Sequence, residues 1–192
     1  LSFRKKHRVG LKVVGEGSNI IPRRSVQGLV VKMIRTGISQ LDDGDDTVLV
    51  EVGAGENWPT FVDWTLRKNW YGLENLSLIP GNVGAAPIQN IGAFGVELSE
   101  RLISIRAICR ATGESLEINA KDCEFGYRNS LFKSSGRDIY VITSVILKLH
   151  KEPKLNYCYP SLKRALQNQL GAVNDDNLSP ELISKTIKLL RR

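Results

Sequence analysis

The order of apolar and polar positions predicts that the chain begins with short β-strands. Residues 11–14, 28–33 and 47–52 are runs in which valine and leucine predominate. Runs of this length that are bounded by glycine or polar residues are typical of strands. We expect the run at 11–14 to be buried, and a polar turn at 42–46 to precede the third run.

Farther along, apolar and polar residues alternate with the period of a strand. The turn at 111–114 leads into a strand at 115–119, so this pair should form a hairpin. Because hairpin-like turns and not helices separate these strands, the predicted sheet is antiparallel. One face should carry Ile103, Ile105, Ala107 and Cys109, opposite Ser104, Arg106 and Arg110, and a later strand should place Ile139, Val141, Thr143, Val145, Leu147 and Leu149 together.

Helical spacing appears at two places, which makes the chain α+β. Residues 57–69 have Asn57 as N-cap and Pro59 in the first turn. Residues 179–192 have Ser179 as N-cap and Pro180 as the first helical residue. The apolar stripes are Trp58, Phe61, Val62, Thr65 and Leu66 in the first helix, and Leu182, Ile183, Ile187 and Leu190 in the second.

Composition limits the possible functions. The 192 residues suggest one domain or a small pair, and 42% of them are hydrophobic, which is enough to bury a core. No apolar run approaches the roughly 18 residues of a membrane span, so no membrane role is expected. Three cysteines at irregular spacing and only two histidines favour reduced thiols over a disulfide framework or a zinc site.

The formal net charge of +7 suits an anionic partner such as a nucleotide or a pyrophosphate. A nucleic-acid-binding module is a rival explanation of the charge. It would require aromatic and basic residues interleaved on one face of a sheet. The sequence does not show that pattern, so no nucleic-acid partner is expected.

Residues 15–19, Gly-Glu-Gly-Ser-Asn, follow the first strand. Glycines allow backbone amides to approach a phosphate closely, and serine and asparagine side chains can donate hydrogen bonds. The segment is neither a Walker loop nor the dinucleotide fingerprint, because Ile20 stands where a third glycine would be. Taken alone, the segment is better interpreted as an ordinary turn.

Residues 78–95 form a second glycine-rich segment, rich in alanine and without a clear period. We expect an irregular, tightly packed loop with at most one short helical turn. Small side chains would leave room for a flat or extended group, which Gln89 and Asn90 could hydrogen-bond. The alternative is a purely structural loop, although apolar loops of this length are usually functional.

Residues 125–130, Phe-Gly-Tyr-Arg-Asn-Ser, place an arginine beside aromatic residues. Arg128 could hold an anionic group in a partly dry site, because its planar fork matches a carboxylate. The alternative is an arginine stacked on a surface tyrosine.

These motifs, in this order, resemble the UDP-N-acetylenolpyruvoylglucosamine reductase family. The most specific one is Pro-Gly-Asn-Val-Gly-Ala-Ala-Pro-Ile-Gln-Asn-Ile-Gly-Ala at 80–93, followed by Phe-Gly-Tyr-Arg. The resemblance implies a two-part FAD-binding fold similar to vanillyl-alcohol oxidase. It also implies reduction of UDP-N-acetylglucosamine enolpyruvate to UDP-N-acetylmuramate by NADPH, for peptidoglycan synthesis, in a cytoplasmic monomer.

The resemblance also implies roles for individual residues. Arg128 would be catalytic and would hold the substrate carboxylate. Tyr127 and Tyr159 would contact the substrate, Tyr159 from a mobile loop found in one family subtype. FAD would contact Gly15, Glu16, Gly17, Ser18 and Asn19 with its pyrophosphate, and Ile79, Pro80, Gly81, Gly84, Ala85, Ala86, Gln89, Asn90, Ile91 and Gly92 along its flavin.

Departures from the family qualify these expectations. The proton-donor motif Gly-Ser-Phe-Phe-Lys-Asn-Pro is absent from the sequence, and residues 21–24 are unusually basic. We therefore expect a chain truncated at both ends and inactive alone, with a non-catalytic flavin-binding remnant as the alternative. The expected parts are a first FAD subdomain at 1–36, a second at 37–172, and a helix at 173–192 that leads to a substrate domain.

Overall fold

The structure is a computed structural model that describes residues 9–21 and 24–191. Its strands are β1 (Leu11–Val14), β2 (Leu29–Lys32), β3 (Ile38–Asp43), β4 (Thr47–Gly53), β5 (Gly92–Ala93), β6 (Val96–Glu97), β7 (Leu102–Cys109), β8 (Ser115–Asn119) and β9 (Tyr140–His150). Its α-helices are α1 (Trp58–Arg67), α2 (Pro160–Leu170) and α3 (Pro180–Leu190), and 3-10 helices include Glu74–Leu76 and Val83–Gln89.

Five strands form an antiparallel sheet in the order β3-β4-β9-β7-β8. This confirms the antiparallel prediction and the hairpin of β7 with β8. The sequence pattern does not predict β3, because this edge strand has mostly exposed side chains and shows no alternation. The predicted polar turn at 42–46 is shorter than expected, since Asp42 and Asp43 pair with Leu49 and Val48.

Strands β1 and β2 form a separate parallel pair. The expectation that β1 is buried is wrong: Leu11 is buried, but Lys12 and Val13 are exposed. A pair of strands offers few neighbours to cover its side chains. The buried Arg110 connects this pair to the larger sheet. Its guanidinium donates to the Leu11 carbonyl at 2.6 Å and to the Asp138 carboxylate at 2.7 Å.

Helix α1 begins where the sequence predicts. The Asn57 side chain accepts a hydrogen bond from the Thr60 backbone N–H at 3.1 Å, and Pro59 lies in the first turn. The helix ends at Arg67, before the expected residue 69. All five residues of its predicted stripe are buried, and Trp58, Phe61 and Val62 join a core with Val48, Val50, Val52, Val145, Leu147 and Leu149 of β4 and β9.

The predicted alternation of β9 is wrong in its first half because the strand contains a bulge. Its pairing with β7 passes from Arg106↔Ser144 to Ala107↔Ile142 and skips Thr143. An extra residue reverses which face the following side chains occupy. Ile142 is therefore in the core, and the expected positions 139, 141 and 143 are not.

A second irregularity changes the face assignment of β7. The pairing shifts between Leu102 and Ser104. As a result Ile103, expected on the same face as Ile105, is 39% exposed, whereas Ser104, expected on the opposite face with Arg106, is 1% exposed. The buried hydroxyl of Ser104 donates to the Glu117 carboxylate at 2.6 Å, which satisfies it away from water.

Helices α2 and α3 pack on each other through Leu162, Leu166, Ile183 and Ile187. The pattern of apolar and polar residues does not predict α2. The N-cap of α3 agrees with the expectation, because Ser179 accepts a hydrogen bond from the Leu182 N–H at 3.2 Å. Leu190, expected in the buried stripe, is exposed. Arg192, the expected last helical residue, lies outside the described residues.

Cys109, Cys123 and Cys158 are free thiols. Burial raises the pKa of the Cys123 thiol to about 12, which keeps it protonated. Among residues 9–21 and 24–191, no helix has the length and apolar character needed to cross a membrane. In the same described part of the chain, no group of three or more His, Cys, Asp or Glu residues could hold a metal ion.

Truncating Ile187 and Leu190 tests the burial of α3. Ile187→Ala should lower the free energy of unfolding by about 2–5 kcal/mol, because Ile187 is fully buried between helices. Leu190→Ala on the same helix should change it by less than about 0.5 kcal/mol. Urea unfolding of the purified protein measures both values. Equal losses of stability in the two variants would contradict the burial of Ile187 between α2 and α3.

Candidate functional site

The two glycine-rich segments lie on opposite sides of one cleft with a volume of about 260 Å³. Two side chains connect them directly. The Asn19 amide donates to the Gln89 carbonyl oxygen at 3.4 Å, and the Gly81 N–H donates to the Glu16 carboxylate at 3.1 Å. Most predicted FAD-contacting residues line this cleft, namely Gly15, Glu16, Gly17, Ser18, Asn19, Ile79, Pro80, Gly81, Ala85, Ala86, Gln89 and Ile91.

The first wall of the cleft is the loop that leaves β1. Gly17 has φ +86°, a conformation that favours glycine and lets the chain turn back within a few residues. Gly15 faces the second wall, where an added Cβ would lie 3.5 Å from the Asn82 side chain. At Gly15 and Gly17 the loop therefore has backbone, and no side chain, at the cleft.

The second wall is fixed by backbone hydrogen bonds to the end of β4 and the start of α1. Trp58 N–H donates to the Gly81 carbonyl at 2.9 Å, and Gly84 N–H donates to the Ala54 carbonyl at 2.9 Å. An added Cβ on Gly84 would lie 2.5 Å from the Ala54 Cβ, so only glycine fits there. The segment is more regular than expected, with a 3-10 helix at Val83–Gln89 and a short hairpin of β5 and β6.

Two predicted FAD contacts use their side chains in hydrogen bonds to other residues of the protein. Asn90 is 1% exposed and does not line the cleft. Its amide donates to the Glu97 carboxylate at 2.8 Å, and its carbonyl oxygen accepts from the Ser99 N–H at 3.0 Å. The Glu16 carboxylate accepts from Gly81 and from the Asn57 amide, so it joins the two walls of the cleft.

A groove of about 380 Å³ continues from the cleft. The two share Val13, Val14, Gly15, Ile20, Asn82, Ala85 and Ile88. Gly84 lines the groove, as do Arg110, Phe132 and Tyr140, which the sequence motifs do not indicate. These three residues reach the groove through sheet pairing and the turn before β9, so no local pattern could have identified them. Cleft and groove together offer an extended path.

A second pocket, of about 430 Å³, brings together Tyr127, Arg128 and Tyr159. Gly92, which lines this pocket, directly follows Ile91 in the chain, and Ile91 lines the cleft. The Arg128 guanidinium donates to the Gly92 carbonyl at 2.9 Å and lies 5.9 Å from the centre of the Tyr127 ring. The arginine therefore contacts an exposed tyrosine, as the alternative interpretation expected, and also lines a pocket beside the cleft.

Two of the aromatic rings that line this pocket pack on each other, and a second arginine lies over one of them. The Tyr159 ring packs edge-to-face on Phe94 with centroids 5.5 Å apart. The guanidinium of Arg191, at the end of α3, lies 5.4 Å from the Phe94 ring centre. Partial burial and the charge of Arg128 lower the pKa of Arg191, although it stays charged. The sequence shows Arg191 only as part of a terminal basic run.

The cleft suits a flavin dinucleotide on physical grounds. Small residues line a wall on which a flat ring system can lie, and the glycine loop can approach a pyrophosphate. Fold and cleft together define an FAD-binding domain. A family model described as "FAD binding domain" matches residues 1–119, and the chain belongs to that family.

Within that class, the curated relatives are named UDP-N-acetylenolpyruvoylglucosamine reductase. The chain is 43% identical to the one from Paraburkholderia phymatum, over 100% of this chain and 55% of the relative. It is 48% identical to the one from Paraburkholderia xenovorans, over 83% of this chain and 46% of the relative. The chain thus spans about half the length of the curated relatives it matches.

Solved structures agree with the fold. The UDP-N-acetylenolpyruvylglucosamine reductase of Thermus caldophilus matches with a TM-score of 0.62 and 25% identity, over 84% of this chain and 55% of that one. Cholesterol oxidase from Brevibacterium sterolicum matches with a TM-score of 0.54 and 14% identity, over 77% of this chain and 31% of that one. The second likeness concerns the fold alone and confirms the expected α+β, FAD-binding architecture.

Substituting Gly81 tests the cleft. Gly81 has φ +119°, and an added Cβ would lie 3.0 Å from the Ser18 hydroxyl. Gly81→Ala should therefore make the present shape of the wall roughly 1–3 kcal/mol less favourable. Because FAD binding would have to restore that shape, the affinity for FAD should fall about 5- to 150-fold. Gly10→Ala is the control, because its Cβ would meet nothing within 4 Å. Fluorescence titration of each apoprotein variant with FAD measures the dissociation constant. Equal dissociation constants for the two variants would contradict contact of FAD with this wall.

Proposed function

We propose that this chain is the flavin-binding part of a UDP-N-acetylenolpyruvoylglucosamine reductase. Such an enzyme reduces UDP-N-acetylglucosamine enolpyruvate to UDP-N-acetylmuramate with NADPH. The observation that supports this most is the position of Arg128. It lines a pocket with Tyr127 and Tyr159, and its carbonyl accepts from Lys133, which lines the cleft. Gly92 of the pocket also directly follows Ile91 of the cleft. A ligand group in the pocket would therefore lie next to one bound in the cleft.

The residues of the cleft fit FAD, which when bound would supply the hydride chemistry between NADPH and the enolpyruvyl double bond. The loop at 15–19 would offer backbone amides to the pyrophosphate. The small residues at 84–86 and the side chain of Gln89 would hold the ring system. Asn90 would act indirectly, by fixing the turn into β5.

Arg128 would bind the substrate carboxylate. Its backbone has φ +52°, a left-handed conformation that is uncommon for residues other than glycine. Two sets of hydrogen bonds stabilise this conformation. Gly126 and Asn129 exchange backbone hydrogen bonds at 3.1 Å, and the Lys133 ammonium donates to the Arg128 carbonyl at 2.8 Å. This turn directs the guanidinium toward Gly92. A fixed guanidinium there would stabilise negative charge that develops on the carboxylate during reduction.

The same proposal divides the chain into a first FAD subdomain at 1–36, a second at 37–172 and a linking helix at 173–192. In its support, β1 and β2 pair with each other, while β3, β4, β7, β8 and β9 form the large sheet. Helices α2 and α3 pack together across residue 172, so the linking helix would stay attached to the second subdomain.

Arg128 can be tested by separating the two half-reactions. In the full-length enzyme with FAD bound (the holoenzyme), Arg128→Ala should slow flavin reoxidation by the UDP-sugar roughly 100- to 1,000-fold. Arg128→Lys should be nearly as impaired, because it keeps the charge but loses the planar fork. Reduction by NADPH should survive better in both variants, since it does not build that charge. Stopped-flow absorbance measures each step.

The control for this series is Arg67→Ala, an exposed arginine at the end of α1 that should change neither half-reaction. Reoxidation at the wild-type rate in Arg128→Ala would mean that Arg128 is only a surface arginine stacked on Tyr127.

Tyr159 should contribute to substrate binding more than to chemistry. Tyr159→Phe removes a hydroxyl that would bond the diphosphate, so the KM for the UDP-sugar should rise roughly 10- to 100-fold, since one hydrogen bond to a charged group contributes about 1.5–3 kcal/mol. NADPH reduction should be nearly unchanged. The matched control is Tyr157→Phe in the same segment, because the Tyr157 hydroxyl bonds Asp175. Similar losses in both half-reactions of Tyr159→Phe would contradict the assignment.

A further inference from the structure

The side chain of Asn75 connects two walls of the second pocket without lining it. Asn75 lies in the 3-10 helix Glu74–Leu76 and is 1% exposed. Its amide nitrogen donates to the Phe94 carbonyl at 2.9 Å and to the Asn156 carbonyl at 2.7 Å. A side-chain amide carries two N–H donors, so these bonds satisfy both.

The two accepting carbonyls belong to segments that are far apart in sequence. Phe94 is in the turn between β5 and β6, and Asn156 precedes Tyr159 by three residues. A third hydrogen bond closes the connection, because the Asn156 amide donates to the Gly95 carbonyl at 3.1 Å. Phe94 and Gly95 both have positive φ, at +49° and +82°. Positive φ at both positions is the usual shape of a two-residue hairpin loop, and these side-chain bonds attach that loop to the 3-10 helix and to Asn156.

This connection sets the relation of two aromatic rings at the pocket. The Tyr159 ring packs on the Phe94 ring, and Phe94 also packs against the α2–α3 core. A shift of the Phe94 or Asn156 backbone would move one ring relative to the other. We propose that Asn75 is a positioning residue that holds the segment 155–159, and with it Tyr159, over the pocket lined by Tyr127 and Arg128.

The inference rests on the proposed function in one respect, that the pocket receives the UDP-sugar. Asn75 touches neither the cleft nor Arg128, so its loss should leave FAD binding and NADPH reduction intact. Removing buried hydrogen bonds also destabilises any protein. The experiment must therefore separate a general loss of stability from a loss of Tyr159 position.

The experiment compares variants of the holoenzyme by two readouts. Asn75→Ala should raise hydrogen–deuterium exchange at 94–95 and 155–159 in the absence of substrate. It should also raise the KM for the UDP-sugar about tenfold, as expected for lost buried hydrogen bonds, with the FAD dissociation constant and the NADPH reduction rate within about twofold of wild type. Ser77→Ala is the matched control, because it removes another buried bond of this region, that of Ser77 with Ser184 at 2.7 Å. It should change neither readout.

A double-mutant comparison identifies the route of the effect. In a Tyr159→Ala background, Asn75→Ala should add little to the KM, because residues that act through one another are not additive. If the two KM effects multiply, Asn75 does not act through Tyr159 and the proposal is wrong. Unchanged exchange at 155–159 in Asn75→Ala would overturn it as well.

Should Asn75→Ala fold poorly, Asn156→Ala removes only the bond to Gly95 and should show the same changes in smaller degree. Failure of the proposed function has a different signature. A full-length wild-type enzyme that binds FAD but does not turn over the UDP-sugar would contradict that function, while the exchange readout would still decide whether Asn75 positions the segment.

Discussion

The contact between Gly84 and Ala54 is the constraint on which the cleft depends. The two backbones lie so close that a Cβ on Gly84 would come within 2.5 Å of the Ala54 Cβ. Backbone hydrogen bonds on both sides fix the segment from Gly81 onward against the end of β4 and the start of α1. That anchoring carries the rigidity of the large sheet into the wall of the cleft. The following residues, up to Gly92, then lead directly to the second pocket.

The two walls of the cleft are held by different means. Backbone hydrogen bonds of 2.8–2.9 Å attach the second wall to the sheet. The first wall, the loop at 15–19, is joined to it by side-chain bonds of 3.1–3.4 Å from Glu16 and Asn19. Longer bonds to exposed side chains are weaker and are more easily exchanged for water. The loop is therefore the wall that can adjust to a ligand, while the sheet-anchored wall sets its position.

Local chemistry explains what the sequence could predict. The cap at Asn57 and the apolar stripe of α1 depend on neighbouring residues, so helix and burial follow from the pattern. The bulge at Thr143 does not, because its cause is tertiary: Thr143 accepts from the Ala54 N–H at 3.0 Å and donates to the Arg106 carbonyl at 3.1 Å. The place of Asn75 is equally hidden, since one of its partners is 81 residues away.

The positions of the arginines decide where the net positive charge can attract an anion. Arg106 and Arg110 form ion pairs with Glu51 and Asp138, so they contribute little to an attraction for anions. Arg128 and Arg191 instead lie over the rings of Tyr127 and Phe94 at the second pocket. Two guanidinium groups near each other repel, which is reflected in the effect of Arg128 on the pKa of Arg191. An anionic group between them would relieve that repulsion, and low local dielectric at a partly buried site would strengthen the attraction. If the proposed function holds, this pocket, and not the net charge of +7, would be the feature that binds a carboxylate or phosphate.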